Sequence, residues 1–320
     1  MATAEASITG FSSPTTTPSA PMEGMPEALS PAQQEAQHIL QHMLQKLQHP
    51  QSKYHARYAK WIERNPNLAS FCLTTVRPPV WNALEQGLSF ENTKAIAGDF
   101  TWLGRGVYFD VVKGDKERVY VGQSSNLRLR ISQHQKFRYR RDHASLHYHA
   151  LHASDDNAYG VLCVLPSSNM GGHRLPGMDR EALLLNVLEM WMGLVFRCLP
   201  AKTLEEWIPS SFSRSSGLGA LNIQCPLENY DGARREMVDL SGSEDLLVRE
   251  WGEMKRAEWK EKVKKELDLV DREEETGVVV EEKTRNIAVT ERAPPWMFGV
   301  SGAIGGAAMM WLYMSRAKGR

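Results

Sequence analysis

The spacing of apolar positions changes period along the chain, and each period predicts a different element. Ser30-Pro31 opens a helix, with proline where its missing N–H costs nothing. Ile39, Met43 and Leu47 recur at four-residue intervals and form one side of it, with Gln and His on the other. A second helical patch follows at Tyr54–Ile62. Residues 66–104 carry Pro78-Pro79, Gly87 and Gly98, and their apolar residues are expected to cover one face of the domain that begins near 103. The period then shortens. Gly106–Val112 and Arg118–Gly122 are β-branched and aromatic runs separated by Lys113-Gly114-Asp115-Lys116-Glu117, which predicts an antiparallel hairpin. Ser124-Ser125-Asn126 are capping residue types, so a helix is expected from about Leu127, with Arg130 and His134 four apart on one face. Ala158–Leu165 reads as a third strand, and Pro166–Asp179 as a loop longer than a compact domain needs. Asp179 is expected to cap an apolar helix, Arg180–Phe196, with Leu184, Leu188, Trp191 and Val195 on one side. Residues 201–219 form a second insertion ending in Ser and Gly.

The remaining sequence is patterned differently. Ser243–Glu275 mixes both charge signs around a narrow apolar stripe of Leu247, Trp251, Met254, Trp259, Val263, Leu267 and Val270. That predicts a long charged helix, which packs on the domain or pairs with a protein partner. The step from Met254 to Trp259 breaks a heptad register. Glu281–Pro295 reads as a tether. Trp296–Met314 holds nineteen residues without a charge, about the length of a membrane span. Aromatics lie near both its ends, Gly302 and Gly306 make a G-x-x-x-G pair, and Arg316, Lys318 and Arg320 follow. Small residues in the middle keep it only moderately apolar, so a buried or interfacial helix is the alternative. The expectation is a C-terminal span with the rest of the chain facing cytosol or nucleoplasm, and otherwise a nuclear or cytoplasmic protein. Residues 1–30 are rich in Ser, Thr, Pro and Ala without apolar periodicity, and are expected to be disordered. They lack arginine and an apolar h-region, which argues against a presequence or a secretory signal.

Overall charge is balanced at 38 Lys+Arg against 38 Asp+Glu and betrays no partner, but local charge does. Thr101–Ala150 holds ten Lys/Arg and four Asp/Glu, an excess of six positive charges. Within it, Lys136-Phe137-Arg138-Tyr139-Arg140-Arg141 interleaves cations with rings, suited to a phosphate backbone and to stacking on a base; a solvated loop is the plainer alternative. His38, His42 and His49, and then His143, His147 and His149, have no matching carboxylates, so packing is the better reading than metal binding. Cys72, Cys163, Cys198 and Cys225 are scattered, without a C-x-x-C pair, and fit a reducing compartment. Glu189 sits inside the apolar 180–196 run, where a carboxylate is costly unless paired or holding a cation. Glu181 is its rival, but it falls in the first helical turn, where an acid favours the dipole without any function.

Gly106-Val107-Tyr108, then Tyr120-Val121-Gly122, then Ser124, Asn126-Leu127, Arg130 and His134 resemble the GIY-YIG nucleases, with valine for isoleucine. The resemblance covers Leu103 to Pro226, well under half the chain. It implies an α/β fold: a small three-stranded antiparallel sheet flanked by helices, as a domain over 103–226. Around it would lie a disordered tail (1–30), a helical extension (31–102), the charged helix (243–275) and the apolar helix (296–314). It further implies a hydrolase cutting DNA phosphodiester bonds with Mg²⁺ or Mn²⁺. Leu188-Glu189-Met190-Trp191 resembles the context of the family's metal-binding glutamate, so Glu189 is the implied ligand. Tyr108 would be the general base, its phenol needing a lowered pKa. Arg130 would stabilise the phosphorane, and Tyr120 and His134 would orient water or phosphate. Gly106 and Gly122 would let backbones approach closely. Gly219-Ala220-Leu221-Asn222 resembles the closing G-x-N element with one extra residue, so Asn222 would brace the site. Lys136, Arg138, Arg140 and Arg141 would contact DNA. The other reading is a scaffold that keeps the fold without turnover, fixed to a membrane.

Overall fold

The computed structural model describes residues 29–96, 104–143, 145–166, 175–229, 240, 242–258 and 261. Outside them lie the expected disordered tail up to 28, Gly98 and the 103 boundary, the middle of the 166–179 loop, most of the charged helix past 258, the tether and the apolar 296–314 run.

The first helix, α1 (Pro31–Gln48), starts at the proline as expected and buries Ala36, Ile39, Leu40, Met43, Leu44 and Leu47. Their spacing of three and four residues is one helical stripe. Four shorter helices come next: α2 (His55–Glu63), α3 (Leu68–Thr75), α4 (Pro78–Gln86) and α5 (Phe90–Lys94). Their buried side chains join those of α1, the inner face of the sheet and the apolar α9 helix (Glu181–Val195) in one core. Helix α9 is buried on every side from Leu184 to Val195. Each Leu or Trp removed from water there contributes about 1.5–3 kcal/mol.

The sheet differs from expectation. Strands β1 (Gly106–Lys113), β2 (Arg118–Ser124) and β3 (Asp156–Val164) form the antiparallel part, with β1 central. A fourth strand, β4 (Gly219–Ala220), pairs in parallel with Arg118 and Val119, giving the order β3-β1-β2-β4 in a mixed sheet. Two residues are too few to show a period-2 pattern, so β4 leaves no trace in the apolar spacing. It is held by Gly219 N donating to the Glu117 carbonyl at 2.8 Å and Leu221 N to the Val119 carbonyl at 3.1 Å.

Strand β1 is buried from Gly106 to Val112, yet its alternation still sorts its side chains. Val107, Phe109 and Val111 enter the main core. Tyr108 packs instead with Leu127, Ile131, Tyr159 and Val161, and Val112 with Leu146, Ala150 and Leu221. That second face is covered by α6 (Leu127–Gln135) and α8 (Leu146–His152), and α7 (Phe137–Asp142) packs against α6. The basic run 136–141, expected as a loop, is mostly α7. Leu247, Val248 and Trp251 of the helical residues 246–258 also pack on this face, where buried Arg118 bonds to Asp115 and to Asp245 at the start of that helix. Helix α10 (Ala201–Trp207) lies in the second insertion and buries Leu204 and Trp207.

Asp179 does not cap α9. Arg180 occupies that position, after a short 3₁₀ turn at Met178–Arg180. The Asp179 carboxylate is used elsewhere, accepting from Trp61 Nε1 at 3.1 Å and Asn65 Nδ2 at 3.3 Å, which ties the start of α9 to α2. Among the described residues no helix is long and apolar enough to cross a membrane.

Candidate active site

The register of β1 and β2 builds the site. Tyr108 lies opposite Gly122, and Asp110 opposite Tyr120. A Cβ on Gly122 would lie 2.6 Å from the Tyr108 hydroxyl and 2.7 Å from its Cζ, so only glycine leaves room for that ring. A Cβ on Gly106 would lie 2.1 Å from the Cys163 carbonyl of β3. A bulge between Val107 and Tyr108 in the β1–β3 pairing sits beside the tyrosine.

Asn126 caps α6, its side chain accepting from Leu129 N at 3.0 Å. Helical spacing then aims Leu127, Ile131 and His134 inward and brings Arg130 alongside. Four side chains meet. Tyr108 Oη is 2.6 Å from His134 Nε2, Arg130 Nε donates to Tyr108 Oη at 3.2 Å, and the Tyr108 and Tyr120 ring centres are 6.2 Å apart. His134 Nδ1 lies 2.8 Å from Tyr148 Oη, and Arg130 Nη1 donates to Tyr139 Oη at 3.0 Å.

Burial and neighbouring charge set the protonation states. Burial, with the charges of His147, Arg130 and Arg140, holds His134 down at about 2, so the ring is neutral. A neutral ring carries one N–H, so His134 donates to one of the Tyr108 and Tyr148 hydroxyls and accepts from the other. Burial pushes the Tyr108 phenol well above its usual value, and the Arg130 guanidinium only partly opposes this. Tyr120 is raised for the same first reason, with the Glu189 charge adding to it. In the metal-free site both phenols are therefore held above, not below, their ordinary value.

Glu189 is 7% exposed in the middle of α9, which packs on β1 and β2. Its Oε2 accepts from Asn229 Nδ2 at 3.2 Å, and its charge reaches Tyr108 and Tyr120. Glu181 pairs with Arg105, joining the start of α9 to the entry of β1. Asn222 braces β2: its Oδ1 accepts from Val121 N at 2.8 Å and its Nδ2 donates to the Val121 carbonyl at 2.6 Å. Lys136, Arg138 and Arg141 are exposed on or beside α7, and Arg141 pairs with Asp142 at 2.8 Å; Arg140 turns partly inward.

The structure adds residues that sequence reasoning missed. Asp110 is fully buried, its Oδ2 accepts from His147 Nε2 at 2.7 Å, and its Oδ1 accepts from Asn157 Nδ2 at 2.9 Å. The His147 ring lies parallel to Tyr120 at 4.2 Å. Strand alternation carried the signal for Asp110, two residues from Tyr108 on the same face. His147, in a row of histidines, carried none.

A divalent cation of the Mg²⁺ kind takes hard oxygen donors, often one or two carboxylates, with water and phosphate supplying the rest. Glu189 fits that donor role, as a buried carboxylate on α9 whose charge acts on both tyrosines. Among the described residues no group of three or more His, Cys, Asp or Glu could hold a metal ion.

No protein-family model matches the chain, and no curated protein or solved structure does so either.

Proposed function

We propose that the chain is a metal-dependent endonuclease of the GIY-YIG type that hydrolyses DNA phosphodiester bonds. The observation that carries this reading is the bonded set Arg130–Tyr108–His134 beside Tyr120, within the electrostatic reach of Glu189. A cation on Glu189 would withdraw charge from the attacked phosphate. Arg130 would hold a non-bridging oxygen and meet the charge that grows on it. With the His134 proton on Nδ1, Tyr108 would work as a relay: its oxygen takes a proton from the attacking water while its own proton passes to His134 Nε2. Water oxygen bonds to phosphorus, the P–O ester bond breaks, and the leaving oxygen is protonated by solvent. His134 is a weak base in the free protein partly because Arg130 and Arg140 repel a proton there. An incoming phosphodiester anion offsets those charges and makes the ring a better acceptor when it is needed. Exposed Lys136, Arg138 and Arg141 are the proposed contacts to the flanking backbone.

The second reading is a nucleic-acid-binding scaffold without turnover, and one feature favours it: Tyr108 is 0% exposed. A nicking assay on plasmid and branched DNA separates the two. Mg²⁺- or Mn²⁺-dependent breaks support the enzyme, and DNA binding with no breaks supports the scaffold. In either case we propose that residues 296–314 anchor the chain in a membrane, with the nuclease-like part facing cytosol or nucleoplasm; an uncharged run with aromatic ends supports this. The charged 243–275 segment is the proposed place for a helical protein partner.

A further inference from the structure

Arg130 and Arg140 are the unusual cations of this fold. Arg130 is half-buried and donates to two tyrosine hydroxyls, Tyr108 and Tyr139. Arg140 follows Tyr139 on α7, and its Nε is buried without a hydrogen-bond partner. Among the described residues no carboxylate lies within ion-pair distance of either side chain. Elsewhere the chain treats buried arginines differently: Arg118 has Asp115 and Asp245, and Arg197 has Glu35 and three main-chain carbonyls. Guanidinium groups removed from water and left without an acceptor are costly. The charge of Arg140 also reaches His134, Tyr148 and Tyr159, and that of Arg130 reaches His134 and Tyr148, so both cations act on the same rings.

We propose that Arg130 and Arg140 together form a two-guanidinium clamp for one phosphate group, with Arg140 a direct ligand of the phosphate held at the site. Planar guanidinium donors match tetrahedral oxyanions in pairs, which a lysine does not reproduce. The clamp accounts for an Nε that has no acceptor in the protein and for two cations without an ion-pair partner that both act on His134. That the phosphate belongs to a nucleic-acid backbone rests on the nuclease reading; that the site takes a phosphate does not.

The test is calorimetric titration of the full chain with inorganic phosphate at low ionic strength. Saturable binding is expected, weakened at least tenfold by Arg140→Gln and by Arg130→Gln. Arg140→Lys, which keeps the charge but loses the fork, should lie between. Lys202→Gln, which removes an exposed positive charge on α10, should leave binding unchanged. Thermal melts of each variant identify any that fails to fold, in which case Arg140→Lys carries the decision. Absence of saturable phosphate binding in the wild type, or equal binding by folded wild type and Arg140 variants, overturns the clamp. Phosphate binding with the expected pattern but without DNA cleavage leaves the clamp standing and removes the nuclease reading.

Discussion

His134 shows how much one buried ring can report. Its pKa is held at about 2 against an ordinary 6.5, so the folded state refuses a proton that the unfolded chain accepts between those values. Where the unfolded state binds more protons, stability rises with pH, so acidification through this window must destabilise the fold. One group contributes a slope of about 1.4 kcal/mol per pH unit. Urea midpoints at about pH 7 and about pH 4 should show the wild type losing roughly 3 kcal/mol more than His134→Gln over that step. Parallel losses in both proteins would mean that the ring is not held neutral. The same residue-scale view separates glycines that resemble ordinary strand residues from those that cannot change: Gly122 is set by the Tyr108 ring opposite it, a constraint visible only once the register is known.

At the scale of elements, the hairpin, the Asn126 cap, α6 and the apolar α9 were legible because each repeats one strong local signal. Two β-branched and aromatic runs around a polar linker marked β1 and β2, a capping side chain marked α6, and a long apolar run marked α9. Elements set by tertiary contacts were not legible. Strand β4 is two residues of parallel pairing, and the Asp179 carboxylate is diverted from a cap to Trp61 and Asn65. Helix α7 had no apolar stripe to announce it; none of its residues is buried. That exposure suits backbone contact by Lys136, Arg138 and Arg141. Neutralising all three should flatten the log–log salt dependence of DNA binding by about 0.9 for each phosphate no longer held. Binding titrations from low to moderate salt would show this, and an unaltered slope would mean that α7 does not touch the phosphates.

For the molecule as a whole, the candidate site was more legible than its surroundings. Tyr108, Tyr120, Arg130 and His134 were placed by short-range spacing and came together on one sheet face. Asp110 and His147, whose ring stacks on Tyr120, are joined across 37 positions by a hydrogen bond that no local pattern encodes. The 31–96 helices pack into the same core as the sheet and α9. The apolar 296–314 run lies outside the described residues, and its role needs a direct measurement. Carbonate extraction of the full chain beside a truncation at Pro295 should leave only the full chain in the pellet. Its complete release into the supernatant would make that run a packed or peripheral helix. The central claim is that Glu189 and the Arg130–Tyr108–His134 set cut DNA. The most direct measurement is single-turnover nicking of supercoiled plasmid with Mg²⁺ by the purified full chain and by Glu189→Gln, with DNA binding measured in parallel. The wild type should nick in a Mg²⁺-dependent way that a chelator abolishes, and Glu189→Gln should show background cleavage with largely intact DNA binding. Undiminished nicking by Glu189→Gln, or none by the wild type, would contradict the claim.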